Sequence, residues 1–231
     1  MKIQICIPLP IRKASDLTAL LRKAEAEGAD FIEIRLDYLE NTDQIEETFK
    51  VLRGVSVPII ATNRKYEEGG YRPQDEGQRI QTLIRAAKEG FQYVDIELKT
   101  ANLQSIIPKL RDLGAKPIIS FHDFNLTPTI SEMKKIMEAE IKLGAEVCKM
   151  VTTAKEVSDN ILCLFLTEQM GKIAKVVCFA MGKKGILSRT LSPLFGAYFT
   201  YASLEAGLET ASGQISLSDL KALYERLGVG G

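Results

Sequence analysis

The sequence predicts a single (β/α)₈ barrel, and three observations support this prediction. Eight short β-rich runs alternate with longer helical patterns, and the runs begin about thirty residues apart, the length of one strand, one helix and two turns. Several helical patterns end at a glycine that a strand follows within a few residues. No linker or low-complexity segment interrupts the alternation, so we expect one domain over residues 1–231.

The strands are predicted from β-branched and apolar residues bounded by turn residues. They cover residues 2–9, 31–37, 57–63, 93–98, 116–123, 146–153, 174–181 and 197–204. Helices are predicted over residues 15–28, 75–90, 101–114 and 129–144, the last opening on the capping-box pattern TISE. A doubly wound open sheet is the alternative fold. That fold usually has a glycine-rich loop after its first strand, and the first strand here ends in PLPIRKAS, without glycine.

Composition narrows the function classes. Thirty basic residues balance thirty acidic ones, which argues against a nucleic-acid partner. No run approaches the ~18 apolar residues of a membrane span, and the N-terminus lacks the pattern of a signal peptide, so we expect a cytoplasmic protein without a membrane partner. The four cysteines lie in separate apolar runs and are predicted to be reduced core thiols. With one histidine and no CxxC pair, no metal site is expected.

Charged residues occupy alternate positions of two predicted strands. Glu33, Arg35 and Asp37 share one face, and Asp95 and Glu97 share another. Both faces of a barrel strand are covered, so the charged face is predicted to point into the barrel, where buried charges must be paired or used. An ion-pair network that only satisfies itself is the alternative. Catalytic groups of barrels lie at the carboxyl ends of the strands, which is where these charges fall.

Lys149 and His122 are the strongest candidates for chemistry. Lys149 is alone in a buried strand, between Cys148 and Met150, and a neutral amine attacks ketones and aldehydes. The alternative is an ammonium paired with Glu97 or another carboxylate. His122 is the only histidine and ends the neighbouring predicted strand, where an acid–base catalyst would be needed, although a structural histidine is the alternative.

Seven short motifs together indicate a family. In order, they are EIRLD (33–37), NRKYEEGG (63–70), DIEL (95–98), SFHDF (120–124), CKMVTTA (148–154), MGKKGILSR (181–189) and ASGQIS (211–216). Over nearly its whole length the chain resembles the type I 3-dehydroquinate dehydratases. The resemblance implies a (β/α)₈ barrel that converts 3-dehydroquinate to 3-dehydroshikimate and water in the shikimate pathway. It implies no metal or organic cofactor, and it suggests a homodimer.

The resemblance also implies catalytic roles. Lys149 would form an imine with the C3 ketone. His122 would remove a C2 proton and protonate the departing C1 hydroxyl. Glu68 would orient and polarise His122, with the adjacent Glu67 as the alternative carboxylate.

The same resemblance implies a set of substrate contacts. Arg189, helped by Gln214, would bind the substrate carboxylate. The ring hydroxyls would be held by Glu33, Arg35 and Arg64. The last loop departs from the usual pattern of a serine two positions before a proline, because TASGQ places Thr210 and Ser212 there. A hydroxyl contact is expected from this segment, with either residue as its donor.

Two other functions fit parts of the pattern. A class I Schiff-base aldolase would share the lysine of the sixth strand, and the glycines of MGKKG (181–185) could serve the phosphate site of such an enzyme. A catalytically silent binding barrel is the second alternative. It gives no reason for a reactive amine to face a buried acid–base pair.

Overall fold

Eight parallel strands form one sheet in the computed structural model, which describes residues 2–40, 44–52 and 54–229. The strands are β1 Ile5–Leu9, β2 Phe31–Arg35, β3 Ile59–Thr62, β4 Tyr93–Glu97, β5 Lys116–His122, β6 Val147–Thr153, β7 Val176–Met181 and β8 Thr200–Tyr201. Each lies inside one of the eight predicted runs. Neighbours in sequence are neighbours in the sheet, and β8 pairs with β1. A single backbone hydrogen bond of 2.7 Å, from Tyr198 N to Val176 O, helps to close the remaining seam beside β7. The predicted (β/α)₈ barrel is confirmed.

Within the described residues, eight α-helices alternate with the strands. They are α1 Ala14–Ala26, α2 Gln44–Val51, α3 Glu76–Lys88, α4 Leu103–Asp112, α5 Ile130–Lys142, α6 Asp159–Met170, α7 Ile186–Leu191 and α8 Leu217–Arg226. The four predicted helices correspond to α1, α3, α4 and α5. Each of these four is followed by a glycine with positive φ, at Gly28, Gly90, Gly114 and Gly144, a conformation that disfavours any side chain with a Cβ. Both hydrogen bonds of the predicted capping box at Thr129 are present.

The barrel interior is layered, because alternate side chains of every strand point inward. Its lowest layer is apolar and takes one residue from each of β1 to β7 and the residue just before β8. These residues are Cys6, Phe31, Ile60, Tyr93, Ile118, Val147, Val177 and Phe199. Two positions further along, six of these residues are followed by polar or charged side chains, whereas Cys6 is followed by Pro8 and Val177 by Phe179. The apolar layer therefore forms the floor of a polar chamber that opens at the carboxyl ends of the strands.

Two sequence predictions need correction. β8 pairs over two residues only, whereas the predicted run covered residues 197–204. β2 ends at Arg35, so Asp37 lies in a short 3₁₀ turn beyond the strand. There it accepts hydrogen bonds from Arg35 and from the backbone amides of Arg64 and Tyr71. Asp37 therefore stabilises the loop after β3 through the backbone amides of Arg64 and Tyr71, and it does not face the chamber as predicted.

The cysteine prediction is confirmed, since all four thiols are free and buried. None of the helices in the described residues has the length and apolar character that crossing a membrane requires. Nor do the described ranges bring three or more His, Cys, Asp or Glu side chains into an arrangement suited to a metal ion.

Candidate active site

A cavity of about 300 Å³ lies at the carboxyl ends of the strands. All ten side chains predicted from the sequence line it. They are Glu33, Arg35, Arg64, Glu68, His122, Lys149, Arg189, Thr210, Ser212 and Gln214. Residues separated by as many as 181 positions in sequence are brought together because parallel strands end at one edge.

Lys149 lies at the bottom of this cavity, on β6. Its side chain is 5% exposed. Nζ donates to Asp95 Oδ2 at 2.8 Å and to the hydroxyl of Tyr201 at 2.9 Å, and it lies 3.5 Å from Glu33 Oε1. The paired-lysine alternative therefore holds for this resting arrangement, with Asp95 rather than Glu97 as the partner. An ion pair does not exclude catalysis, since the amine can attack once it has lost its proton.

Asp95 is shared between two cations. Arg64 Nη2 lies 2.8 Å from the same Oδ2 that accepts from Lys149, and Ser120 Oγ donates to Oδ1 at 2.7 Å. Burial alone would raise the pKa of Asp95, but the charges of Arg64 and Lys149 outweigh it and hold the pKa well below its usual range. Asp95 is therefore ionised, and removing one cation would still leave it paired with the other.

His122 lies at the end of β5, beside the strand of Lys149. Its Nδ1 is 3.2 Å from Glu68 Oε2, and its backbone amide donates to the same oxygen at 3.2 Å. Burial lowers the pKa of His122 well below its usual value, and the positive charges of Arg64 and Lys149 lower it further. The imidazole is thus neutral near pH 7. With Nδ1–H directed at Glu68, Nε2 keeps its lone pair and can act as a base.

Glu68 is the buried one of the two candidate carboxylates, whereas Glu67 is exposed. Burial raises the pKa of Glu68 to about 7, because neither Arg64 nor the hydrogen bond from His122 offsets the loss of solvent. Glu68 is therefore mainly ionised above that pH, where it can accept the Nδ1–H of His122. Of the two predicted alternatives, only Glu68 contacts the histidine.

Arg189 is the one arginine of the cavity without an ion-pair partner among the described residues. Its guanidinium carbon lies 4.2 Å from the ring centre of Phe179, and Nη2 donates to Ser212 O at 3.4 Å. The Nε of Arg189 has no hydrogen-bond partner among the described residues. Burial lowers the pKa of Arg189 to about 10. A buried cation without a counterion is a site for an anion that comes from outside.

The other two arginines are held differently. Arg35 donates to both oxygens of Asp37 at 2.9 and 2.7 Å. Arg64 binds Asp95, Glu97 and Ser120. Their charges are balanced within the protein, so they can offer hydrogen bonds to a neutral ligand without requiring an anion.

The loop before α8 closes one side of the cavity. Gln214 accepts a hydrogen bond from Thr210 N at 2.8 Å and donates to Thr210 Oγ1 at 3.2 Å. The carbonyl of Ser212 accepts from Gly182 N at 3.2 Å. The hydroxyl proton of Thr210 is left to donate elsewhere, and both Thr210 and Ser212 line the cavity.

Sequence reasoning missed Tyr201 as a cavity residue. It lies on β8 two positions after Phe199, so strand alternation places both rings inside the barrel. An aromatic pair at this spacing is typical of a packed core, and its sequence gives no sign that only the second ring reaches Lys149. Phe124, Val151, Phe179 and Met181 also line the cavity.

Fold and site together define a class: barrel enzymes whose cavity holds a buried amine, a carboxylate–histidine pair and an unpaired arginine. Comparison with known proteins identifies the member of this class. The sequence profile of the type I 3-dehydroquinase family matches residues 5–230. The chain is 40% identical over 200 residues to a 3-dehydroquinate dehydratase of Dehalococcoides mccartyi, covering 87% of each chain. It is 33% identical over 224 residues to one from Methanococcus maripaludis, covering 96% of this chain and 98% of that one.

A solved structure gives the same result. The type I 3-dehydroquinate dehydratase of Clostridium difficile superposes with a TM-score of 0.88 at 25% identity, covering 98% of this chain and 92% of the other. The chain belongs to the type I 3-dehydroquinase family. The predicted function, a hydro-lyase of the shikimate pathway on a barrel, is confirmed at the level of this family. The aldolase and the silent barrel are not supported.

Proposed function

We propose that the chain dehydrates 3-dehydroquinate to 3-dehydroshikimate through an imine on Lys149. One observation supports this most strongly. The buried amine of Lys149 opens to the same 300 Å³ cavity as the neutral imidazole of His122 and the unpaired guanidinium of Arg189. An amine, a base and an anion site are the groups that a keto acid undergoing imine-assisted elimination requires.

The chemistry follows from the properties of an imine. Condensation of Lys149, counted from its ammonium form, with the C3 ketone forms a protonated C=N bond and releases the ketone oxygen as water together with two of the three ammonium protons. Nε2 of His122 then takes the C2 proton, and the electron pair left on C2 is delocalised toward the imine nitrogen as an enamine. The enamine expels the C1 hydroxyl, which leaves as water with the proton held by His122. Hydrolysis of the imine returns the Lys149 amine.

Substrate contacts are proposed on the same basis. Arg189 would bind the carboxylate through its planar fork, with Gln214 beside it. Glu33, Arg35 and Arg64 would hold the ring hydroxyls, because their charges are already balanced within the protein. A hydroxyl of Thr210 or Ser212 would complete the contacts. No metal or organic cofactor enters this scheme.

Dehydration of 3-dehydroquinate should produce a conjugated enone, whose formation can be monitored by its ultraviolet absorbance. The variant Arg189→Lys tests the carboxylate contact in the same assay. Loss of the two-pronged geometry should raise KM and lower kcat/KM by a factor corresponding to about 2–5 kcal/mol. Lys183→Ala is the matched control, since Lys183 is an exposed cation in the preceding loop. Absence of enone from the folded native protein would refute the function. A native kcat/KM for Arg189→Lys would refute only the carboxylate contact.

We also propose a cytoplasmic homodimer. Four free, buried thiols are typical of a reducing compartment. Two observations support the dimer: the family resemblance, and an apolar surface on α6, where Ile161 is 67% and Phe165 is 50% exposed. α6 packs beside α7, whose Leu187 extends the same kind of surface at 47% exposure. A two-fold axis through such a patch would bury it against itself.

The mass in solution checks the dimer. Sedimentation of the native chain should give twice the 25.6 kDa of one chain. The double variant Ile161→Glu, Phe165→Glu should give a monomer, because two carboxylates would be buried against their own copies. Leu227→Glu changes an exposed leucine elsewhere and should remain dimeric. A native monomer, or a double variant that stays dimeric, would argue against this surface.

A further inference from the structure

The hydroxyl of Tyr201 touches the atom that would carry the chemistry. It lies 2.9 Å from Lys149 Nζ, and the ring centre is 4.6 Å from the same nitrogen. Pairing of β8 with β1 sets Tyr201 beside Cys6 and directs its ring inward, where Phe199 and Phe179 pack against it edge-on. The ring is thus fixed by apolar contacts, and its hydroxyl is the one polar atom that it brings into the chamber.

The ionisation state of Tyr201 decides what that hydroxyl can do. Burial raises the pKa of Tyr201 well above its usual value, and the carboxylate of Glu33 raises it further. The phenol therefore keeps its one proton. Glu33 Oε1, 3.4 Å away, is the acceptor that faces this proton. The lone pairs of the oxygen are left free to accept a hydrogen bond from Lys149.

Glu33 is itself held in place. Thr62 Oγ1 donates to Glu33 Oε1 at 2.6 Å. The order of donors then runs from Lys149 to Tyr201 and from Tyr201 to Glu33. This order fixes the direction of each hydroxyl proton, because Glu33 as a carboxylate can only accept.

A neutral amine has two N–H groups and one lone pair in a tetrahedral arrangement. Asp95 Oδ2 at 2.8 Å and Tyr201 Oη at 2.9 Å are the two hydrogen-bond acceptors of Nζ, whereas Glu33 Oε1 lies farther away at 3.5 Å. A neutral amine that keeps these two hydrogen bonds has its lone pair in a third direction, available to a ketone in the cavity. Attack of this lone pair on a ketone leads to a protonated C=N bond, in which the nitrogen keeps one proton and the ketone oxygen has left as water. With Asp95 alone, the amine could rotate about its Cε–Nζ bond, and its lone pair would have no fixed direction.

We propose that Tyr201 is a catalytic residue, whose hydroxyl works with Asp95 to aim the Lys149 lone pair at the substrate ketone. The inference rests on the proposed function, since it assumes that Lys149 is the nucleophile. It assigns a role to a side chain whose ring otherwise packs against Phe179 and Phe199. Tyr93 shows the contrast: it lies in that floor, and its hydroxyl meets that of Tyr198 at 3.2 Å, far from the amine along the strand direction.

The test is Tyr201→Phe, which removes the hydroxyl and keeps the ring. The expected result is a fall in kcat of about 10–100-fold with a KM within about threefold of native, because the ketone is bound as before but attacked less often. The rate constant for forming the borohydride-trapped adduct on Lys149 should fall by the same factor. Tyr93→Phe is the matched control and should leave both quantities within about twofold of native.

Two outcomes would overturn the inference. One is a Tyr201→Phe enzyme with native kcat and native trapping rate. The other is a loss confined to KM or to thermal stability, which would indicate packing alone. If Tyr201→Phe does not fold, Tyr201→Met supplies a second variant of similar volume without the hydroxyl and must meet the same criteria. Native enzyme that gives no adduct on Lys149 would instead refute the proposed function, so the two failures are distinguishable.

Discussion

Lys149→Ala is expected to lower kcat by a factor of about 10⁴ or more, because without the amine no imine forms and the C2 carbanion has no electron sink. The fold should survive this change. Asp95 would keep Arg64 at 2.8 Å, so its buried carboxylate would not be left without a counterion. Circular dichroism and thermal melting check the fold, and the enone assay checks the rate.

Lys99→Ala is the matched control for this variant. Lys99 is an exposed lysine whose Nζ lies 5.1 Å from the ring centre of Phe121, near the cavity but not lining it. Its loss should leave kcat within about twofold of native, as expected of an exposed charge. A Lys149→Ala enzyme that turns over near the native rate would remove the basis of the imine mechanism.

His122→Ala is expected to lower kcat by about 10²–10⁴-fold, the usual contribution of a positioned acid–base group. Imine formation should persist, because attack of the amine on the ketone is a separate event. The expected variant is therefore one that borohydride still traps on Lys149 but that scarcely turns over. Near-native turnover by His122→Ala would instead indicate that a carboxylate such as Glu68 is the acid–base catalyst.

The pH dependence provides a second check on His122. Burial and the charges of Arg64 and Lys149 lower its pKa well below the usual value, so the neutral base persists as the pH falls through 6.5. As the only histidine, it gives a single imidazole resonance that can be followed without assignment. Its midpoint should lie well below 6.5. A midpoint at or above 6.5 would contradict the neutral imidazole on which the proton transfer depends.

Much of the site could be predicted because strand alternation is a strict rule. A residue at the end of a parallel barrel strand must meet its counterparts from other strands, so Lys149 and His122 could be placed in one cavity from spacing alone. The helix-ending glycines were equally informative, since positive φ strongly favours glycine at such a stop.

Other features were beyond the sequence for physical reasons. α6 shows little amphipathic pattern because Ile161 and Phe165 are apolar yet exposed, so its apolar residues occur on most sides. Asp37 continues the alternation of β2 in sequence, and only the structure shows that the chain has turned away. Which carboxylate pairs with Lys149 depends on the depth of side chains across the barrel, and no local pattern encodes that.

Borohydride trapping tests the central claim most directly. The native enzyme, mixed with 3-dehydroquinate and reduced during turnover, should carry one substrate-derived adduct, which digestion and mass spectrometry should place on Lys149. Lys149→Ala, treated identically, should carry none. An adduct on any other lysine, or no adduct while the native enzyme is turning over, would contradict the account.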